Sequence, residues 1–472
     1  MIYQVYDRYI LMKLDFGIRE INKKIKKKFV LRPMLLIALS FFLVIMLGSV
    51  LLVCPFAHEP GVDVTYLNAL FTSVTATCVT GLVDVQKGIG DTYSLAGELI
   101  ILALIQLGGL GVTAIGTFFI ITIFGLSISQ QQLIKEAWNL SDSKIIKKVF
   151  YYTLLITFVV EILGAALSFV SFYCIQQLHI TQGLPLTDIV KISFFHSISS
   201  FNNAGLDLLG VNSLITFQDP LLLTTTALLI VFGGLGYVVI IDILSKKFKF
   251  KKFRAHTKIV LVMTLFLFVF GSVMIYLTSF NQGNFSVSFT DSMFLSISTR
   301  TAGYTNVNLS TVPTASLIVM IILMFVGASP GGTGGGIKTT SIFVIFAYIR
   351  SIFQNKEPYG FRRQINKENA RKALLLFVVG ISLIIVSSLI ISVTENAYGN
   401  IIPYDDVLFE VTSAFSTTGL STGITPSLSE VTRVLLIILM YFGRIGPMSI
   451  TSILQSKKIQ SWHYVEENIP IG

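Results

Sequence analysis

Phe71-Thr72-Ser73-Val74-Thr75-Ala76-Thr77-Cys78-Val79-Thr80-Gly81 decides how this chain folds. The stretch carries no charge, is too short to cross a bilayer, for which a helix needs about 20 apolar residues, and is too apolar for an ordinary loop. It predicts a re-entrant half-helix that enters the membrane and turns back at the glycine. Three more stretches have the same form. The second runs from Phe195 through Ser199-Ser200-Phe201-Asn202-Asn203-Ala204 to Gly205. The third ends Ser298-Thr299-Arg300-Thr301-Ala302-Gly303 and the fourth Ala414-Phe415-Ser416-Thr417-Thr418-Gly419. Their glycines stand 124, 98 and 116 residues apart. Each is followed, 24 to 28 residues later, by a second glycine: Gly108, Gly233, Gly327 and Gly443. Such self-similarity marks a repeat architecture.

Outward from these stretches, long apolar segments fall at about 34–56, 94–125, 148–178, 219–245, 257–280, 314–349, 372–395 and 430–455, which predicts eight spans. The expected fold is an all-α integral membrane protein of four fused span, half-helix, span repeats around one central pore, with eight transmembrane helices and four re-entrant half-helices. The repeats are placed at 33–130, 145–256, 257–350 and 369–456, with a basic cytoplasmic N-terminus at 1–32 and a cytoplasmic tail at 457–472. Composition agrees: 53% of residues are hydrophobic and 13% charged, where a soluble chain carries about a quarter charged. Residues 34–53 follow a basic stretch but are too long for a signal h-region and lack a small-residue cleavage pattern, so they are read as an uncleaved first span.

The net charge of +10 is topological. The segments 57–93, 175–220, 280–314 and 395–433 hold 13 Asp and Glu against four basic residues, Lys87, Lys191, Arg300 and Arg433. Most other Lys and Arg flank the opposite side, at Lys23–Lys28, Lys144–Lys148, Lys246–Arg254, Arg362–Lys372 and Lys457–Lys458. By the positive-inside rule that side is cytoplasmic, both termini lie inside a cell membrane, and the half-spans enter from outside. The charge is expected to meet anionic lipids, not nucleic acid. Cys54, Cys78 and Cys174 are odd in number and widely spaced, and form neither a disulfide framework nor a metal site.

A half-helix entering from outside aims the negative end of its dipole at the membrane centre, where it stabilises a cation. Four loops with glycine at the tip can turn backbone carbonyls toward a common axis and replace a cation's water shell. The expected ion-binding residues are Thr77, Cys78, Val79, Thr80 and Gly81; Phe201, Asn202, Asn203, Ala204 and Gly205; Arg300, Thr301, Ala302 and Gly303; and Phe415, Ser416, Thr417, Thr418 and Gly419. Phe201, Asn202, Asn203, Arg300 and Phe415 are expected to brace the loops from behind, with Arg300 bonded to filter carbonyls or paired with an acid such as Glu410. A single Thr-Gly or Ala-Gly between apolar stretches is ordinarily a turn. Four at equivalent positions favour the pore.

The sixth span is interrupted by Gly327-Ala328-Ser329-Pro330-Gly331-Gly332-Thr333-Gly334-Gly335-Gly336-Ile337-Lys338, which cannot stay helical at membrane depth unless it faces protein or a cavity. An unwound loop just below the filter is a candidate gate. It superficially matches a phosphate-binding loop, but Ile337 stands where that motif needs glycine beside the lysine. Arg444, in the middle of the last span, is by its cost a functional residue, and its expected partners are carbonyls of the Gly327–Gly336 loop. Glu161 is read as structural, and Asp242 as lying near a cytoplasmic helix end.

These four segments, with Gly-Gly-Thr-Gly-Gly-Gly-Ile-Lys at 331–338 and Gly443-Arg444-Ile445-Gly446-Pro447, resemble the Trk/Ktr/HKT superfamily of potassium transporters, in particular its Ktr membrane (pore-forming) subunit. The resemblance runs from about residue 33 to 456. It implies four fused channel-like units with K⁺ held by carbonyls next to the glycines, no covalently bound cofactor, and gate roles for the loop and Arg444. In the plant branch, Ser in place of the first glycine accompanies Na⁺ preference, and Gly81 matches the K⁺ pattern. The resemblance also implies a homodimer, a cytosolic nucleotide-binding ring against Lys246–Arg254 and Gln354–Lys372, and transport often stimulated by Na⁺. Ser329-Pro330 and the extended basic N-terminus depart from the family pattern and bear on gating and dimer contacts.

Two other transport or membrane classes remain open at this stage. A carrier coupling K⁺ to Na⁺ or H⁺ by alternating access would want inverted repeats and acids at mid-membrane, whereas these repeats run parallel. A sensor with a vestigial pore would insert without conducting. A membrane hydrolase is disfavoured, because His58, His179, His256 and His463 lie at span ends or beyond and His196 has no nucleophile arranged with it.

Overall fold

The computed structural model describes residues 33–110, 144–177, 185–209, 213–280 and 287–446. The expected N-terminal segment 1–32, the end of repeat 1 at 111–130 and the tail 457–472 lie outside the described residues, as does the last span beyond Gly446. The described chain is mostly helical, with one two-residue strand pair, Tyr359–Gly360 against Arg363–Gln364. Repeat 1 is α1 (Pro33–Val53), half-helix α2 (Tyr66–Cys78) and α3 (Leu95–Gly109). Repeat 2 is α4 (Lys144–Gln177), half-helix α5 (Leu186–Phe201), α6 (Pro220–Leu235) and α7 (Tyr237–Ser245). Repeat 3 is α8 (Ala255–Ser279), half-helix α9 (Phe289–Ser298), α10 (Thr314–Phe325) and α11 (Thr339–Gln354). Repeat 4 is α12 (Lys367–Ala397), half-helix α13 (Tyr404–Ser416) and α14 (Glu430–Ile445). Tyr151–Cys174, Ala255–Ser279 and Lys367–Ala397 are each long and apolar enough to cross a membrane.

Side-chain caps start two of the four half-helices, while α5 and α13 start after Pro185 and Pro403. Thr65 Oγ1 accepts from the Asn68 amide to cap α2, and Ser288 with Asp291 forms a capping box on α9; both satisfy N–H groups that a helix start leaves unpaired. Asp405 and Asp406 sit in the first turn of α13, at the positive end of its dipole. Each of the first three half-helices is then locked to the span before it by one serine. Ser73 Oγ donates to Ile45 O (2.7 Å), Ser197 Oγ to Glu161 O (2.6 Å) and Ser296 Oγ to Phe268 O (2.9 Å). Three residues after each accepting carbonyl stands a glycine, Gly48, Gly164 or Gly271, on which a Cβ would fall 2.3 to 2.5 Å from that serine's oxygen. The small residues bring helix and half-helix together, as close packing between helices in lipid requires.

The segment 219–245, expected as one continuous span, is bent by 92° at Gly236 into α6 and α7. Gly236 has φ +90° and ψ 139°, a conformation open essentially to glycine alone. The interruption expected in the sixth span is present as the non-helical segment 326–338 between α10 and α11.

Polar ties join neighbouring repeats on the face from which the half-helices enter. Lys191 pairs with Glu98 (3.1 Å) between repeats 1 and 2, and Tyr304 Oη donates to Ser199 Oγ (2.8 Å) between repeats 3 and 2. Thr314 Oγ1 donates to Asp405 (2.9 Å) between repeats 3 and 4, and Arg433 reaches Asp84 (3.9 Å) across the seam between repeats 4 and 1. Asp84 lies in the loop after α2, outside the helical spans. Burial raises its carboxyl to about 7, and the hydrogen bond from Asn68 and the charge of Arg433 offset this only in part. The folded state therefore holds the proton more tightly than the unfolded chain, so the associated stability is present below the ordinary carboxylate value of 3.8 and lost as pH rises through about 7. The melting temperature in detergent should fall across that window more steeply for the wild type than for Asp84→Asn. Parallel profiles would refute the assignment.

Candidate functional site: a ring of four glycine loops

The four half-helices end in the same backbone conformation. Two residues before each glycine the chain turns left-handed, at Val79 (φ +56°), Asn203 (+60°), Thr301 (+70°) and Thr417 (+52°). The glycines follow at φ +102° (Gly81), +65° (Gly205), +81° (Gly303) and +86° (Gly419). The residue between them closes the helix end: Thr80 N donates to Thr75 O, Ala204 N to Ser199 O, Ala302 N to Ser298 O and Thr418 N to Ser413 O, at 2.7 to 2.9 Å. Two of the glycine amides are pinned from below, Gly81 N by Thr75 Oγ1 and Gly419 N by Ser413 Oγ, both at 3.0 Å. Thr or Val in that left-handed position is strained, whereas Asn203 tolerates it, and the same strain at three of four equivalent sites points to function.

The loops close on one another in order. A Cβ on Gly81 would lie 2.6 Å from Ala204 O, on Gly205 2.7 Å from Ala302 O, on Gly303 2.6 Å from Thr418 O, and on Gly419 2.0 Å from Thr80 O. Each glycine thus abuts the carbonyl preceding the glycine of the next repeat, and the fourth returns to the first. All four glycines line one cavity of about 150 Å³ on the entry face, with Val83, Asp207, Tyr304 and Leu420 from the segments that follow them. The oxygens of Thr77, Thr80, Thr301 and Thr417 are buried without a hydrogen-bond partner. An unmet buried oxygen is costly in a protein interior, and oxygens of this kind suit a hard monovalent or divalent cation.

Thr77, Cys78, Phe201, Phe415 and Ser416 belong to the last turns of α2, α5 and α13, so the loops proper begin after them. Gly108, Gly233 and Gly443 explain the second repeated glycine: a Cβ there would strike Thr77 O at 2.0 Å, Phe201 O at 1.9 Å and Phe415 O at 1.8 Å, the carbonyls four residues before each ring glycine. The spans thus press on the half-helix ends. Asn202 Nδ2 donates to Gln106 (3.0 Å) and Glu161 (2.9 Å), which gives Glu161 the structural part expected of it. The Asn203 amide, oriented with its NH₂ inward, donates to Ile230 O and Ser200 O at 3.3 Å. Arg300 departs from expectation. Its Nη1 donates to Thr264 O in α8 (3.5 Å), away from the ring carbonyls, while Glu410 accepts from Thr425 and not from Arg300. Asp242 accepts from Arg254 N (3.0 Å) and Thr257 Oγ1 (2.8 Å), capping the start of α8.

Beneath the ring lies segment 327–338. Gly327 breaks the pattern of the other second glycines: its closest neighbour is Gly335 O, within its own loop. Val326 and Ile337 form a parallel bridge, so the loop's two ends meet. Its tip docks into the bend of repeat 2. Thr333 N donates to Gly233 O and Ser329 N to Gly234 O, while Tyr237 N donates back to Gly331 O, all at 3.1 Å. The bend frees carbonyls and the loop supplies donors, so each satisfies backbone groups that the other leaves open at membrane depth. Gly334 and Gly335 approach the Thr301 and Thr417 hydroxyls so closely that a Cβ on either would clash with them. Pro330 O lies 2.7 Å from where a Gly236 Cβ would be, and Gly332 and Gly336 complete the backbone path, with Ala328 and Ser329 buried. Lys338 Nζ donates to Gly334 O (2.7 Å) and Gly335 O (3.4 Å). Arg444 Nη1 donates to Thr333 O, as expected of a loop partner, and Nη2 to Gly108 O in repeat 1, which the sequence did not suggest.

Gly236→Ala should therefore lower stability by about 1–3 kcal/mol through strain at the bend. The check is thermal unfolding in detergent, where an unchanged midpoint would show that the bend tolerates a side chain.

The TrkH family model, described as a cation transport protein, matches residues 37–466. The potassium/sodium uptake protein NtpJ of Enterococcus hirae is 35% identical over 465 residues, spanning 96% of this chain and 99% of that protein. The Ktr system potassium uptake protein D of Bacillus subtilis is 34% identical over 94% of this chain and 98% of its own length. Among solved structures, the potassium transporter TrkH of Vibrio parahaemolyticus superposes with a TM-score of 0.65 over 90% of this chain and 85% of that one, at 16% identity.

Proposed function

The chain belongs to the TrkH family of cation transport proteins, a multi-pass membrane family with no catalytic relatives among those matched, and from that membership we propose that it takes up K⁺ across the plasma membrane through the glycine ring. The carrying observation is that four glycines from four repeats close in cyclic order and line one cavity. A K⁺ ion entering from that cavity exchanges its water shell for backbone carbonyls, those of Thr80, Ala204, Ala302 and Thr418 among them, at the negative ends of four half-helix dipoles. Selectivity rests on the number and field of those oxygens and on the backbone that holds them.

The 327–338 loop crosses the inner side of this path and gates it, held shut by Arg444 and Lys338. The half-helices enter from outside and both termini are cytoplasmic, as the distribution of Lys and Arg requires. The basic segments 246–254 and 354–372 then face the cytosol, where a nucleotide-binding regulatory ring and anionic lipids engage them, and two copies of the chain pair in the membrane. Na⁺ stimulates the flux.

The test is K⁺ or Rb⁺ flux into liposomes carrying the purified chain, in Na⁺ and in choline, with and without the cytosolic partner. Selective, gradient-driven entry supports the reading. Absence of flux from folded protein in the presence of the partner refutes it.

A further inference from the structure

Nine residues before each ring glycine, the half-helices carry buried side chains at one equivalent position: Thr72, His196, Phe294 and Glu410. Only the fourth is an acid. Glu410 is 1% exposed, and among the described residues no Lys or Arg forms an ion pair with it. Its Oε1 accepts from Thr425 Oγ1, and its Oε2 has no partner. A carboxylate buried without a counter-charge is costly. The hydroxyls beside it are ordered by it. Thr425 has one proton and gives it to Glu410, so its 3.1 Å contact with Ser421 Oγ requires Ser421 to donate. Ser421 Oγ in turn accepts from Gly423 N (2.9 Å). Ser421 is half-buried and lines the cavity above the ring, two residues beyond Gly419. With its proton turned toward Thr425, it has only a lone pair to offer there. Thr305, at the same place two residues beyond Gly303, also lines the cavity with its proton spent: it donates to Val307 O (2.6 Å) and accepts from Val307 N (3.2 Å). Asp207 of repeat 2 lines the cavity directly, and by the cyclic order of the loops Glu410 adds its charge from the opposite quarter.

We infer that Glu410 is a positioning residue for cation entry: through Thr425 it fixes Ser421 as an acceptor-only oxygen at the mouth of the ring, and its charge raises the affinity for an alkali cation there. The cation does not touch Glu410. It supplies the counter-charge that no side chain gives this carboxylate, with two hydroxyls polarised between them. The inference rests on the reading of the ring as the ion path and adds an inequality to it, since only the fourth quarter is backed by an acid at this position.

The experiment follows thermal unfolding of the purified full chain in detergent across a Rb⁺ series, with ionic strength held constant by N-methylglucamine. A cation that binds only the folded state raises the melting temperature with its concentration. Glu410→Gln keeps an oxygen that can accept from Thr425 and removes the charge. Its Rb⁺ series should shift to about tenfold higher concentration, the scale of one nearby buried charge, while the melting temperature without Rb⁺ holds or rises. Ser421→Ala, on the half-buried cavity wall, should shift the series in the same direction, and it keeps the test valid if the Glu410 variant fails to fold. A side chain that merely pins Thr425 would leave the Rb⁺ series of Glu410→Gln at that of the wild type. That result, or an unshifted series in Ser421→Ala, overturns the inference and leaves the ring reading standing. A wild-type protein with no response to Rb⁺ overturns both.

Discussion

Gly419→Ser is expected to abolish discrimination between K⁺ and Na⁺ or to stop flux altogether, the largest effect of any single ring substitution. A Cβ at Gly419 would lie 2.0 Å from Thr80 O and 2.7 Å from Gly81 Cα, backbone atoms that cannot swing aside as a flexible side chain can. The residue also has φ +86°, where any L side chain is strained. The carbonyl of Thr80 must therefore move, and it is one of those proposed to replace the ion's water. Gly205→Ser is milder. Its Cβ meets Ala302 O at 2.7 Å, so selectivity should drop by about tenfold, equivalent to about 1.4 kcal/mol between the two ions, with flux retained. Competition of Rb⁺ uptake by Na⁺ and by K⁺ reads both variants. Unchanged ion preference in Gly419→Ser would sink the assignment of the ring.

Excising Gly331–Gly335 should raise K⁺ flux severalfold in the absence of any cytosolic partner. The deletion is structurally feasible because Ile337 N already bonds Phe325 O (3.2 Å) and the ends of the loop are adjacent, so α10 and α11 need not separate. It removes Thr333, whose carbonyl Arg444 holds, and the two glycines against Thr301 and Thr417. It also leaves the carbonyl of Gly233 without its donor and Tyr237 N without its acceptor, Gly331 O, so the variant should melt at a lower temperature. Arg444→Gln should raise flux in the same direction with the loop still present. Unchanged or abolished flux in folded protein of either variant would show that the loop is not a barrier.

Much of this was legible in the sequence, because repetition needs no knowledge of contacts. The four glycines and their neighbours announced themselves by spacing, and the Gly-rich interruption of the sixth span could not be helix in any membrane. The bend at Gly236 was not legible. Gly-Gly-Leu-Gly at 233–236 resembles Gly-Gly-Leu-Gly at 108–111, and only the loop of another repeat, donating into the freed carbonyls, makes it a corner. Arg300 failed for a related reason. Its place in the third segment suggested service to the ring, yet the side chain follows α8 outward to Thr264, a path fixed by packing between repeats and invisible in a single segment. The second glycines were recognised as a pattern, but their purpose, pressing on the carbonyls of Thr77, Phe201 and Phe415, is a matter of ångströms.

The ring closes from Gly419 back to Gly81 within one chain, and this has a genetic consequence. Where four separate polypeptides share one axis, a defective copy enters mixed assemblies and spoils most of them. Here every polypeptide brings all four quarters of its own ring. A damaged allele expressed beside an intact one should subtract only its own conduction, so loss-of-function lesions in the ring should behave as recessive, and a dominant lesion should map to surfaces shared between chains.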